Sequence, residues 1–171
     1  MKKILILTIA TIILLTGCAK NSNNPYDGKE TISPLGLEGV FVDTSVKEIT
    51  DLIDNKETFV FVASFEDCPH CQEFLPYLYE AAKERNYAIG YIDTRKDSSW
   101  QSNLDIDDYN LFVEYFGEFL LRDEDNIPHL YVPHTFFVKE GTVIQSLLLV
   151  GDSENSLELL MECFDKLELN K

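Results

Sequence analysis

Residues 66–74 read Glu66-Asp67-Cys68-Pro69-His70-Cys71-Gln72-Glu73-Phe74 and hold two of the four cysteines in a chain of 171 residues. Before them lies TFVFVAS, residues 58–64, a nearly unbroken apolar and aromatic run that suits a central strand buried on both faces. After them, residues 72–85 repeat Phe74, Leu75, Leu78 and Ala82 at helical spacing. The two thiols thus fall between a buried strand and the first turn of a helix. A thiolate, not a thiol, attacks a disulfide, and a helix N-terminus offers partial positive charge and unpaired N–H groups to a sulfur seated there. Cys68 is placed for that role. Pro69 suits the first helical position, where its missing N–H leaves nothing unpaired. His70, when charged or donating, favours a Cys68 thiolate and so makes the disulfide more oxidising, while the negative charges of Glu66 and Asp67 oppose it.

Working outward, YAIGYI (87–92) reads as another interior strand and GVFVDT (39–44) as a short one. Ser45 is a helix cap for residues to 55, with Val46, Ile49, Leu52 and Ile53 on one face. Residues 95–125 are acidic, yet carry Leu111, Phe112, Tyr115, Phe116, Phe119 and Leu120 at helical spacing, which predicts one or two helices packed on the sheet. A peptide-binding face is the rival reading of that stripe. Residues 135–138 and 142–150 read as two strands turning at Glu140-Gly141. Ser153 or Asn155 would cap a last helix reaching 169, its apolar side made of Leu159, Leu160, Cys163, Phe164 and Leu167. The expected order is β-α-β-α-β-(α)-β-β-α, an α/β domain with a central mixed sheet flanked by helices.

The N-terminus sets the compartment in which the cysteines work. MKKILILTIATIILLTGC has a charged start at Lys2 and Lys3, a short apolar run from Ile4 to Leu15, and small residues before Cys18. This is an export signal, and Leu15-Thr16-Gly17-Cys18 resembles a bacterial lipobox, which implies lipidation of Cys18. The expected organisation is a signal peptide at 1–17, a flexible tether at 18–37 and one domain at 38–171, lipid-anchored at the cell membrane on its extracytoplasmic face. The tether reading rests on Asn, Ser, Pro and Gly without apolar periodicity. A formal net charge of −16 disfavours nucleic acid as a partner.

The element order, the Cys-x-x-Cys between strand and helix, and Val132-Pro133 just before HTFFVKEG together resemble the thioredoxin superfamily over about residues 38–168. The resemblance implies a thioredoxin-like fold with a helical insertion before the strand that follows Pro133, a cis Val132-Pro133 bond facing the cysteines, and thiol-disulfide oxidoreductase activity. Pro128 is the rival for the cis proline. Cys71 would be the resolving thiol, and Val132, Pro133 and His134 would border the substrate, with Val132 offering its backbone to an extended client. The Pro-His dipeptide and the Val before the proline resemble the periplasmic disulfide oxidases of the superfamily. One departure matters: family members carry a buried acid six residues before the first cysteine, and here that residue is Val62. The implied partners are thiols or disulfides of exported proteins or peptides, and a membrane or extracellular redox partner. No cofactor is implied.

Other readings compete. Zinc held by Cys68 and Cys71 with two of His129, His134 and Cys163 lacks a second close-spaced pair. A purely structural bridge across so short a loop would constrain little of the unfolded chain. Cys163 reads as core packing, and His129 and His134 as polar edge residues, His134 with a possible substrate contact. Bacteriocin transport accessory proteins give a looser resemblance. It implies a binding module that holds a cationic peptide on the acidic surface and on Phe112, Tyr115 and Phe116.

Overall fold

The computed structural model describes residues 24–95, 104–148 and 155–168. The export signal, Cys18 and the cap at Ser153 lie outside them, as does part of the acidic stretch after Arg95. Strands β1 (Phe41–Asp43), β2 (Phe59–Ser64), β3 (Ile89–Asp93), β6 (His134–Lys139) and β7 (Thr142–Leu148) form one sheet in the order β1-β3-β2-β6-β7. β1 and β2 run parallel to β3, and β6 runs antiparallel to both β2 and β7. Helices α1 (Val46–Asp54), α2 (Pro69–Glu84), α3 (Ile106–Phe116) and α4 (Ser156–Lys166) cover it.

Every residue of β2 is buried, as its unbroken apolar sequence requires. Alternation along the strand sends Val60 and Val62 to one face and Phe59, Phe61 and Ala63 to the other. The first face packs against Leu75 and Leu78 of α2 and Leu160 and Phe164 of α4. The second packs against Ile49 of α1 and Phe112 and Phe116 of α3. Phe61 stacks on Phe136 of β6 with ring centroids 4.8 Å apart, and Phe116 lies 5.1 Å from both. The aromatic stripe is therefore core, and the peptide-binding reading of Phe112 and Phe116 is corrected: both are fully buried.

Local signals fix the ends of the elements. Ser45 and Glu48 form a capping box at α1: Ser45 Oγ accepts from the Glu48 N–H at 3.2 Å, and Glu48 accepts from the Ser45 N–H at 2.9 Å. Those bonds hold the Glu48 carboxyl below its ordinary range. The β6–β7 turn places Glu140 and Gly141 both at positive φ, 49° and 74°. A side chain on Gly141 would meet the Ile53 carbonyl oxygen at 2.4 Å.

Two features depart from the sequence reading. The tether expected at 18–37 is ordered packing from residue 24 onward. Asn24 donates to the Ala88 carbonyl at 2.8 Å, Tyr26 is 1% exposed and lies edge-on to Phe59, and Ile32 bridges antiparallel to Phe41. Two polar and aromatic anchors do this without any periodicity, so composition alone reads the segment as a spacer. The second departure is a small antiparallel pair, β4 (Leu121–Arg122) with β5 (Pro128–His129), between α3 and β6. Its turn is held by Asp123, which accepts from the N–H groups of Asp125 and Ile127. Pro128 belongs to this pair and is not the cis proline. Among the described residues, no helix is long and apolar enough to cross a membrane.

Candidate active site

Strand β2 ends at Ser64, and a short turn carries the chain to Cys68, whose N–H donates to the Phe65 carbonyl at 3.3 Å. Cys68 is the N-cap of α2, with extended backbone angles, and Pro69 occupies the first helical position. Cys68 Sγ accepts the N–H of Cys71 at 3.2 Å, so the sulfur stands where a capping oxygen would normally sit. On its other side Cys68 Sγ donates to the Val132 carbonyl at 3.7 Å. The Val132-Pro133 bond is cis. Two segments 64 residues apart in sequence thus meet at one sulfur.

The two cysteines differ in environment. Cys68 is 5% exposed and Cys71 is fully buried, and both are free thiols. Burial away from water pushes the Cys71 thiol up to about 12, and its contact with Cys68 adds to that rise. The Ser64 hydroxyl, which approaches Cys71 without closing a hydrogen bond of good geometry, works in the opposite direction. His70 is exposed on the first turn of α2. Val62, where the resemblance led us to look for an acid, is fully buried on the same face of the sheet as Cys71.

Val132 is half-buried and precedes β6, so it lies outside the ladder of the sheet. Its chain neighbour Tyr131 is 52% exposed, with its ring 6.0 Å from that of His129, an aromatic side chain that the sequence reading did not single out. His134 is corrected as a substrate contact: it is 2% exposed and stacks on Phe136 at 4.2 Å. Alternation explains this, because residues 134 and 136 share the face opposite the cysteines. Burial without a hydrogen-bond partner at either ring nitrogen pushes His134 down to about 4. His129 pairs with Asp123 at 2.8 Å on the small β4–β5 pair, and Cys163 is fully buried in α4 on the cysteine side of the sheet. Hence the ligands of the zinc reading are spread over both faces. Among the described residues, no three His, Cys, Asp or Glu side chains are grouped to hold a metal ion.

A cavity of about 400 Å³ opens beside the cysteine turn. Ile32 and Pro34 of the N-terminal segment form one wall, and Tyr91, Asp93, Glu66 and Arg95 contribute polar lining. Arg95 covers the Phe65 ring at 3.9 Å and pairs with Asp67 at 3.9 Å. Strand order alone could not have revealed this cavity, because its lining comes from β1, β3, the cysteine turn and the segment read as a tether.

A five-stranded mixed sheet in the order above, with a Cys-x-x-Cys at the start of the helix after the central strand and a cis proline facing it, defines the thioredoxin fold. The chain is similar to a thioredoxin from Aeropyrum pernix, at 20% identity over 72% of this chain and 83% of that one, with a TM-score of 0.45. It is also similar to a thioredoxin from Trypanosoma brucei brucei, at 14% identity over 80% and 95%, TM-score 0.46. Thioredoxin O2 from Arabidopsis thaliana matches at 17% identity over 78% and 96%, TM-score 0.44. No family model and no curated protein matches the sequence.

Proposed function

We propose that the protein is a membrane-tethered, extracytoplasmic thiol-disulfide oxidoreductase that exchanges disulfides with exported proteins through Cys68 and Cys71. The observation that carries this reading is the seat of Cys68 Sγ, capped by the Cys71 N–H and set against the Val132 carbonyl beside the cis proline. In the oxidising direction, a client thiolate attacks the Cys68–Cys71 disulfide, forms a mixed disulfide with Cys68 and expels Cys71. A second client thiolate then attacks the client sulfur and releases Cys68, leaving the client oxidised and the pair reduced by two electrons. The reducing direction reverses these steps, with Cys71 attacking Cys68 to release the client thiol. Val132 and the exposed Tyr131 are the backbone and side chain that an extended client would meet. His70, on the exposed first turn, is the tuner of the redox poise. Lipidation at Cys18 would hold the domain at the membrane, and loss of the lipid mass in Cys18→Ser is its check.

The deciding experiment is the equilibrium reduction potential of the pair in the full chain, titrated against glutathione and read by mass-tagging of free thiols. A value of about −120 to −180 mV is expected for a moderately oxidising Pro-His pair. A value near −270 mV would mark a reductase instead. Failure of Cys68 and Cys71 to form a bridge at any poise would end the oxidoreductase reading.

A further inference from the structure

Cys71 has a chemical need that nothing so far meets. To resolve a mixed disulfide it must lose its proton inside the fold, where burial holds that proton tightly. Val62 lies on the same face of the sheet and can take no proton. The neighbours of Val62 on that face are different. Tyr91 pairs with Val62 across β3, Thr135 pairs with it across β6, and Ser64 stands two residues further along β2. All three are at most 2% exposed, and each carries a buried hydroxyl that closes no hydrogen bond of good geometry, although Ser64 lies near enough to Tyr91 and Cys71 to act on both. Such orphans are rare in folded proteins and call for an explanation. Four side-chain hydroxyls among the described residues are orphaned in this way, and three of them surround this one valine. The fourth, on Tyr26, belongs to the N-terminal segment packed on the opposite face.

The cluster has an exit. Ser64 is in register with Asp93 of β3, and Tyr91 and Asp93 both line the 400 Å³ cavity. The Asp93 carboxylate accepts the Arg95 N–H at 2.9 Å and is half-buried at the cavity wall. Tyr91 feels both Asp93 and Cys71, and its own phenol is pushed up by burial, so it stays protonated and acts as a carrier of protons, not as their final acceptor.

We propose that Ser64 and Tyr91, with Thr135 beside them, form a hydroxyl relay that carries the Cys71 proton to Asp93 at the cavity, doing on β3 what a carboxylate at position 62 would do on β2. This rests on the oxidoreductase reading of the pair. In the resolving step the Cys71 S–H bond breaks and its proton passes to a hydroxyl oxygen. That hydroxyl gives its own proton onward to Asp93 or to solvent in the cavity. The Cys71 sulfur bonds to Cys68, the bond from Cys68 to the client sulfur breaks, and the client leaves as a thiolate.

The test uses the full chain with Cys18→Ser and Cys163→Ala, so that only the pair reports, and 5,5′-dithiobis(2-nitrobenzoate) as the disulfide. Attack by Cys68 releases one thionitrobenzoate, and attack by Cys71 on the mixed disulfide releases the second. The two phases of the parent test the oxidoreductase reading, and the change of the second phase in the variants tests the relay. If the parent protein shows no second release, the oxidoreductase reading fails on its own account. Given two phases, Tyr91→Phe, Ser64→Ala and Asp93→Asn should each leave the first phase unchanged. Each should slow the second at pH 7, the double Ser64→Ala, Tyr91→Phe by about tenfold to a hundredfold. The deficit should shrink as the pH rises toward the Cys71 value of about 12, because hydroxide then takes the proton directly. The titratable and charged groups that face this spot are Cys68 at the start of α2, Cys163 on α4, Asp43 on β1, Glu66 and Asp67 in the turn, and Arg95 after β3. Cys163 is removed in the test protein. Thr135→Val, with the same shape and one relay hydroxyl fewer, should slow the second phase with the same pH dependence while the first phase and the melting temperature stay as in the parent, which separates loss of the hydroxyl from packing damage. A second phase within twofold of the parent in the double variant, or a slowing equal at every pH, would overturn the relay. An unaltered rate in Asp93→Asn would overturn Asp93 as its end.

Discussion

The two faces of the sheet are built from the same strands and differ in almost everything else. On the face covered by α1 and α3, Phe59, Phe61, Phe112, Phe116 and Phe136 pack ring on ring, with centroid spacings from 4.7 to 6.3 Å. On the face covered by α2 and α4, aliphatic side chains and the rings of Phe41, Phe74, Phe137 and Phe164 surround three thiols, Cys68, Cys71 and Cys163, and three orphaned hydroxyls. The division is physical. The aromatic block gains dispersion and burial with few polar groups to satisfy, the His134 ring and the Tyr26 hydroxyl among them, so it makes a stiff floor. Reactive groups need polar neighbours and a way to solvent, and these cost stability wherever they are only partly satisfied. One strand, by alternation, serves both.

The sharpest way to break this comparison is to damage each face and ask which property fails. Cys68→Ser should abolish disulfide exchange, by about a thousandfold or more in a turnover assay, with little change in melting temperature. Cys71→Ser should instead trap Cys68 in a mixed disulfide with the client, visible as an adduct by mass spectrometry. Phe61→Ala on the opposite face should cost about 3–5 kcal/mol in denaturant unfolding, while exchange below the melting transition stays within a few-fold of the parent. If Phe61→Ala instead altered the reduction potential of the pair, the faces would not be separable in this way.

His134 sharpens the same contrast, since it is a titratable group buried in the aromatic face. Its ordinary value is 6.5 and burial lowers it to about 4, so between those values the unfolded chain binds more protons than the folded one. Stability is therefore complete above about pH 6.5 and falls as the pH drops toward 4, by a total of about 3 kcal/mol. Urea titrations from pH 7 to 4 on the parent and on His134→Phe, which keeps the ring stack, should show a smaller fall in the variant by about that amount. A smaller effect is expected where the N-terminal segment crosses the sheet. A side chain on Gly90 would meet the Tyr26 hydroxyl at 2.4 Å, so Gly90→Ala should cost about 1–3 kcal/mol. In Gly90→Ala limited proteolysis should cut first between residues 24 and 37, and equal protection of that segment would show that it is not seated on Gly90.

Much of this was legible in the sequence, and the reasons differ from one residue to the next. TFVFVAS announced a strand buried on both faces because a two-sided core leaves no polar position in it. Ser45 with Glu48, and Glu140-Gly141, announced a helix start and a turn because each satisfies a local backbone requirement. The Cys-Pro-His-Cys stretch announced its place at a helix start for the same kind of reason. The seating of residues 24–37 was not legible, because it depends on Asn24 finding the Ala88 carbonyl and on Tyr26 covering a glycine in a distant strand. His134 was misread because a polar residue beside a functional proline invites a functional role, and only the register of β6 shows which face it takes.

The sequence by itself determined the strands of the main sheet, the helices, their order and the seat of Cys68 at a helix start, since each follows from periodicity, capping or turn chemistry within a few residues, while the proline opposite it was implied by the family resemblance. Only the tertiary structure decided what surrounds Cys71. Val62, Ser64, Tyr91, Asp93 and Thr135 lie on three strands, and no local rule in the chain states which strands become neighbours or in what register. That choice is made by the packing of both faces at once, and it gathers hydroxyls around the valine that stands where the family resemblance implies an acid.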